Sequence, residues 1–409
     1  MNNILHSIPF LKIFVFLFLH TPICIAEKPS SAWIRHTIDG TSQGADGVRL
    51  SDVNGDGFPD IATGWEQGNI VRVYLHPGIK KVKNPWPYVT VGIVGDPEDA
   101  VFADIDGDGS VDVVSSCEGQ TRTVFIHWAP SKKEKYRQFD AWETTALPVT
   151  EKKQSWMFAL PMDINGNGRI DLVVGSKGSN ASIGWLRSPK NPREVSAWTF
   201  HHLINASWVM SMQAHDIDGD KDLDILASNR KGLSPGILWL ENPGASNKTQ
   251  FPDWNLHRVG PSDREVMFLT MGRLDLDHPE IICAVKGKGI TRYTLDNRNP
   301  ENWSLTEVSM SPKCGTGKGV AIGDINLDNR TDIVISCEHA HGNLSGVRWL
   351  SYRQSPNETE WDHHEISGAE GIKFDRIELL DIDGDSDLDV LTSEETTNLG
   401  VIWYENPLR

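Results

Sequence analysis

Apolar residues in this chain fall into short alternating runs, parted by Gly, Pro, Asn and Asp, and no stretch keeps a helical period. Residues 209–259 show the pattern most plainly, with runs VMSMQAHD (209–216), DILAS (224–228), GILWLENP (236–243) and WNLHRV (254–259). Each run places apolar or β-branched residues on alternate positions, which predicts four strands joined by tight turns. The same order recurs along the chain. Between the first and second runs of each repeat stands an acidic loop: DVNGDGFPD (52–60), DIDGDGSVD (104–112), DINGNGRID (163–171), DIDGDKDLD (216–224), an eroded RLDLDHPE (273–280), DINLDNRTD (324–332) and DIDGDSDLD (381–389). The loops start about every 55 residues, a period that belongs to solenoids and propellers. Four antiparallel strands repeated seven times predict an all-β, seven-bladed β-propeller. The chain ends on GVIWYENP (400–407), a third strand without a fourth, and AWIRHTI (32–38) is a fourth strand with no three before it. The N-terminal strand is therefore expected to complete the last blade, closing the ring and removing a free sheet edge.

The first residues have another character. Lys12 precedes the apolar run IFVFLFL (13–19), and Ala26 is a small residue at a cleavage position. Residues 1–26 read as a secretory signal peptide, too short in its apolar run to span a bilayer. Residues 27–409 then form a single propeller with no transmembrane segment, expected outside the cytoplasm, extracellular or periplasmic. Four cysteines remain: Cys117, Cys283, Cys314 and Cys337, too few for a disulfide-built scaffold. A single bridge between Cys314 and Cys337, on two loops of one blade, is open on sequence grounds.

The net charge of −17 excludes nucleic acid as a partner, since that binding needs a basic footprint. The acidity is concentrated, because the six intact loops hold 22 aspartates. Their spacing, D-x-[DN]-x-[DN]-x-x-x-D, sets oxygen ligands at positions one, three, five and nine. Hard carboxylate and amide oxygens in irregular loops suit Ca²⁺, and glycines allow the backbone to turn around an ion. The expected ligands are Asp52, Asn54, Asp56 and Asp60; Asp104, Asp106, Asp108 and Asp112; Asp163, Asn165, Asn167 and Asp171; Asp216, Asp218, Asp220 and Asp224; Asp324, Asn326, Asp328 and Asp332; Asp381, Asp383, Asp385 and Asp389. Up to six structural Ca²⁺ ions are expected, each crosslinking one hairpin. In the fifth loop Arg273 and Glu280 replace the first and last aspartates, so no metal is expected there; in the sixth, Leu327 stands where the others have Gly.

These loops, with the W-Y-E-N-P strand, resemble the FG-GAP/VCBS family of extracellular propellers, which includes the integrin α-chain head and many secreted bacterial proteins. The likeness spans residues 30–409. The FG and GAP peptides themselves are absent, which points to the VCBS-type subgroup. The resemblance implies calcium, adhesion or ligand binding, and in related propellers polysaccharide lyase activity.

Recurring residues read as scaffold, and residues that differ between repeats as candidate site. W-x-x-H recurs in the fourth strand, at Trp33/His36, Trp198/His201, Trp254/His257 and Trp361/His364, and a Trp recurs in the third at 185, 239, 349 and 403. Six positions after the residue that opens strand two stand Glu66, Glu118, Lys177, Arg230, Lys286, Glu338 and Glu395. Three neighbouring cations face four neighbouring acids in a ring, on the face opposite the acidic loops. Trp156 and Trp208 lie in the connections beside Lys177 and Arg230. Aromatics next to cations suit an anionic sugar, so the expected function is a secreted, calcium-stabilised propeller that binds carbohydrate or another anionic extracellular ligand on that face. A lyase for uronic-acid polymers is the alternative, with His339 and His341 as candidate bases, and a purely structural adhesion or interaction module is a third. Within the channel, Arg49 and Glu378 fall on neighbouring blades and are expected to pair.

Overall fold

In the computed structural model, residues 32–232, 234–244, 254–274, 279–287, 289–295 and 302–409 are described. The proposed signal segment, residues 1–26, lies outside them. The described residues form seven four-stranded antiparallel sheets, the blades of a propeller. The innermost strands, for blades 1 to 7, are Ala45–Ser51, Pro97–Ala103, Ser155–Met162, Val209–His215, Val266–Gly272, Thr316–Gly323 and Phe374–Leu380. Each touches the innermost strand of the next blade, and blade 7 touches blade 1. No described helix is long and apolar enough to cross a membrane.

The ring closes as the sequence predicts. Strand Ile34–Asp39 pairs antiparallel with Gly400–Glu405, Ile34 facing Glu405 and His36 facing Trp403. The seventh sheet is thus built from both ends of the propeller chain, and Ile38, 1% exposed, is packed in its core. The hydrophobic cores lie between blades: Ala62, Val71 and Val73 of blade 1, for example, pack with Ala100, Phe102 and Val113 of blade 2.

The repeated Trp and His prove to be one device. Trp185, Trp239, Trp349 and Trp403 stand directly opposite His201, His257, His364 and His36 on the adjacent strand. The rings lie 3.8–5.5 Å apart, three of the four pairs stacked. Cross-strand ring pairs of this kind hold a fourth strand onto the third.

Every innermost strand also carries a register shift near its start, as between Asp46 and Arg49, Pro97 and Asp99, or Phe374 and Ile377. A bulge re-aims the residues it contains. Here it turns them toward the propeller axis on the face opposite the acidic loops. The channel pairing differs from expectation: Arg49 binds Asp99 of blade 2 through two hydrogen bonds of 2.9 and 3.0 Å, and Glu378 is taken by Arg376 of its own strand at 2.7 Å. Asp99 wins because the bulge swings it inward beside Arg49.

Candidate functional site

At the centre of the face opposite the acidic loops lies a cavity of about 360 Å³, with walls supplied by all seven blades. Of the charged column predicted to ring this mouth, Glu66, Glu118, Lys177, Arg230, Glu338 and Glu395 line the cavity, together with Trp208. Lys286 stands outside it, 3.5 Å from Glu265. The ring is not split into a free cationic arc and a free acidic arc. Lys177 bonds Glu98 at 3.2 Å and also contacts Glu118. Arg230 bonds Glu265 at 2.7 Å and lies 3.5 Å from Glu338, and Lys373 is held by Glu395.

The aromatics are not free platforms. Trp156 is 1% exposed, its indole N–H donating to the Thr150 carbonyl, and it packs in the core between blades 2 and 3. Trp208 lies under three cations, with Lys177, Arg230 and Lys231 4.7–4.9 Å from its ring. Two of those cations, Lys177 and Arg230, are already paired with carboxylates. The imidazoles of His339 and His341 are exposed, 6.5 Å apart, and neither lines the cavity. His339 Nδ1 lies 3.6 Å from Oε1 of Glu338, which does line the cavity.

A second column went unread in the sequence. Six positions before the loop's first residue stand Asp46, Glu98, Met157, Met210, Met267, Lys318 and Asp375, all within or beside the bulges. The same internal alignment contained it. The apolar appearance of strand one hid it, because a bulge cannot be read from alternation. Asp46, Glu98, Met157, Met210, Lys318 and Asp375 line the cavity. Lys318 bonds Asp375 at 2.6 Å with both side chains buried. Burial opposes ionisation of both, yet their attraction raises the Lys318 ammonium and holds Asp375 well below the usual carboxylate range. Asp46 is pushed far the other way, by burial and by Asp375 and Glu98. Glu98 rises to about 8, again mainly through burial.

On the opposite face the acidic loops share one geometry. The first aspartate accepts backbone N–H groups from the turn: Asp52 from Gly55, Asp56 and Gly57, and Asp381 from Gly384, Asp385 and Ser386. Positions four and six are left-handed in all six intact loops; Leu327 holds φ 58° where the others place Gly. In loops 2, 4 and 7 three carboxylates converge within 4.8 Å: Asp104, Asp106 and Asp108; Asp216, Asp218 and Asp220; Asp381, Asp383 and Asp385. Asp387 of loop 7 is 2% exposed, its neighbours are carboxylates, and neither of its oxygens receives an N–H or O–H. That donor set fits a hard cation. Loops 1 and 3 use Asn54, Asn165 and Asn167, whose amides bond within their own turns: Asn54 accepts from Asp56 N–H and Asn165 donates to Asp171.

The ninth aspartate departs from expectation. Asp60, Asp112, Asp224 and Asp389 each accept two backbone N–H groups, one from loop position two and one just beyond strand three. Asp171 accepts from Ser188 N–H and Asp332 from Ile325 N–H. All six are at most 1% exposed. Burial raises them, to about 6 for Asp60, Asp171 and Asp224 and about 7 for Asp112, Asp332 and Asp389. Through these amides they clamp the acidic hairpin in place, a role the loop spacing does not reveal.

Neighbouring cations also reach these loops, which spacing did not reveal. Lys83 bonds Asp383 at 2.9 Å, Lys133 the Asn54 carbonyl at 2.9 Å, and Arg193 Asp106 at 2.5 Å, each from the following blade. In loop 6, Arg330 bonds Asp328 at 2.5 Å. In blade 5, residues 275–278 lie outside the described residues; Glu280 pairs with buried Arg292 at 2.6 Å. Cys314 and Cys337 are free, buried thiols.

A family profile described as FG-GAP-like repeat matches residues 33–115 and 163–227. No curated protein sequence matches the chain. Among solved structures it is similar to BBS1N in complex with ARL6DN. One, from crystals soaked with lead, has a TM-score of 0.51 and 13% identity over 92% of this chain and 98% of that one. Another, soaked with mercury, has a TM-score of 0.50 and 12% identity over 93% and 100%. Residues 33–115 and 163–227 thus match an FG-GAP-like repeat and the fold is a seven-bladed propeller, but the expected kinship with secreted bacterial and integrin-type propellers is corrected by these likenesses, which are to BBS1N. Secretion and an extracellular glycan partner are corrected on the same finding, and the internal pairing of the mouth's cations supplies the physical reason against an anionic sugar.

Proposed function

We propose that this chain is an interaction module, a propeller that docks a partner protein across the face opposite its acidic loops. The observation that carries the reading is the contrast between faces. Clamps, turns and stacked rings recur from blade to blade, whereas equivalent positions at the cavity vary around the ring: Glu in blades 1, 2, 6 and 7 but Lys177 and Arg230 in blades 3 and 4, and beneath them Asp46, Glu98, Met157, Met210, Lys318 and Asp375. A rigid frame presenting one individual surface is the arrangement of a recognition platform. BBS1N, the similar propeller, was captured with a protein, ARL6DN, and ARL6 is accordingly the first partner to titrate. The test immobilises the full chain and a variant carrying Glu66→Ala, Glu118→Ala and Glu338→Ala. Purified ARL6 and candidates enriched from extract are then reconstituted with each. A partner that binds both equally, or no partner that binds the wild type at all, overturns this reading.

The acidic loops serve the frame. Loops 2, 4 and 7 would hold Ca²⁺ through positions one, three and five, loop 7 adding Asp387. When bound, the ion supplies only charge neutralisation and a crosslink across the hairpin. Support comes from the orphaned, buried carboxylate of Asp387, whose burial costs free energy without a cation. Isothermal titration of chelator-treated protein should find calcium binding whose stoichiometry Asp381→Asn with Asp387→Asn lowers by one site. Unchanged binding in that variant excludes loop 7.

A further inference from the structure

We propose that the central cavity is an anchor site for an organic cation, the guanidinium or ammonium of an Arg or Lys side chain presented by the partner. Its walls are divided. Blades 7, 1 and 2 bring Asp375, Glu395, Asp46, Glu66, Glu98, Asp99 and Glu118, and the opposite wall brings Met157, Phe158, Met210 and Phe268, with Lys177 and Arg230 stacked over Trp208 beside them. Eight acidic residues line the cavity against five basic ones, so carboxylates are left over after every pairing. The excess is visible as carboxyls in mutual contact. Asp46, 8% exposed, receives no N–H and its side-chain neighbour is the carboxyl of Asp375; Glu98, besides its bond to Lys177, also meets the carboxyl of Glu118. Glu338 Oε1, on a residue 6% exposed, accepts no hydrogen bond although Arg230 lies 3.5 Å away.

Burial and mutual repulsion push Asp46 and Glu98 toward their neutral forms, and a cation entering the cluster would favour the ionised ones. Asp46 belongs to two carboxylate trios, with Glu66 and Glu98 and with Asp375 and Glu395, each within 4.8 Å. Acids on one wall and thioether and aromatic groups on the other match a charged head on an apolar stem better than a bare metal ion, which has no use for the apolar wall. The bulges make this possible, since they turn the Asp46, Glu98 and Asp375 column inward in blades whose strands are otherwise apolar.

The proposal rests on the interaction-module reading, and its test separates the two. N-acetyl-arginine amide and its neutral isostere N-acetyl-citrulline amide are titrated into the full chain by NMR. The arginine compound should bind with a Kd in the millimolar range and the citrulline compound about tenfold more weakly or not at all, a difference of about 1.4 kcal/mol. Asp46→Asn with Glu98→Gln should abolish the discrimination. Equal binding of the two compounds, or no arginine binding at all, overturns the proposal on wild-type protein alone, whether or not the variant folds. Displacement of arginine by millimolar Mg²⁺ or Ca²⁺ that persists in the Met157→Ala, Met210→Ala protein overturns it in favour of a metal site. A partner that binds the wild type and the Asp46→Asn, Glu98→Gln variant alike leaves the module standing and removes the anchor. Arginine binding without any protein partner does the reverse.

Discussion

Asp389 offers a sharp test of how the acidic loops work, because its carboxylate is assigned to two backbone amides instead of a metal. It accepts Ile382 N–H at 3.0 Å and Asn406 N–H at 2.9 Å and is 1% exposed. Asp389→Ala leaves both donors buried with no acceptor. At about 1–3 kcal/mol for each orphaned group, the loss is about 2–6 kcal/mol. Asp389→Asn keeps one acceptor oxygen but turns its NH₂ toward the second amide, so about half that loss is expected. The assay is urea unfolding of full chain and variants, followed by tryptophan fluorescence, once with millimolar calcium and once with excess EGTA. A clamp predicts the same loss in both buffers, since the amides need the carboxylate whether or not an ion is present. A metal ligand predicts a loss that disappears in EGTA, where the wild type has no ion to lose. A difference below about 0.5 kcal/mol in EGTA refutes the clamp.

Four further outcomes follow from the structure. Arg292→Leu, which leaves Glu280 charged and buried, should destabilise by about 3–5 kcal/mol in denaturant unfolding, and adding Glu280→Leu should recover most of that; a double variant no better than the single one breaks the ion-pair account. Leu327→Gly relieves a side chain held at φ 58° and 37% exposed, and should raise stability by about 1 kcal/mol, read as a higher thermal midpoint; a lower midpoint counts against backbone strain. Glu98 rises to about 8 in the fold, so the folded state holds a proton that the unfolded state releases at lower pH; Glu98→Gln should therefore gain on wild type as pH climbs toward 8, and a gap that narrows would contradict the burial argument. Deleting residues 1–40 opens blade 7 at Gly400–Glu405 and should yield self-association in light scattering; a monodisperse, equally stable product would show that closure is dispensable.

What was legible in the sequence is what repeats. Strand alternation, the acidic loops and the recurring Trp and His specify blades, their number and the closure by AWIRHTI, because each depends on neighbours along the chain or on a period the chain displays. The charged column Glu66 to Glu395 was legible too, as six of its seven members do meet at one mouth. Its meaning was not. Lys177 and Arg230 look free in the sequence, yet Glu98 and Glu265, remote in the chain, lie beside them once the blades close into a ring. Asp60 and Asp389 look like metal ligands, yet the amides they hold come from beyond strand three. The bulges that carry Asp46 and Asp375 inward break the alternation on which strand reading depends. Local pattern thus determined the frame, through periodicity and burial. Tertiary structure alone decided which charges are spent on each other and which are left over, because Coulomb pairing and desolvation depend on distances that only the closed ring sets.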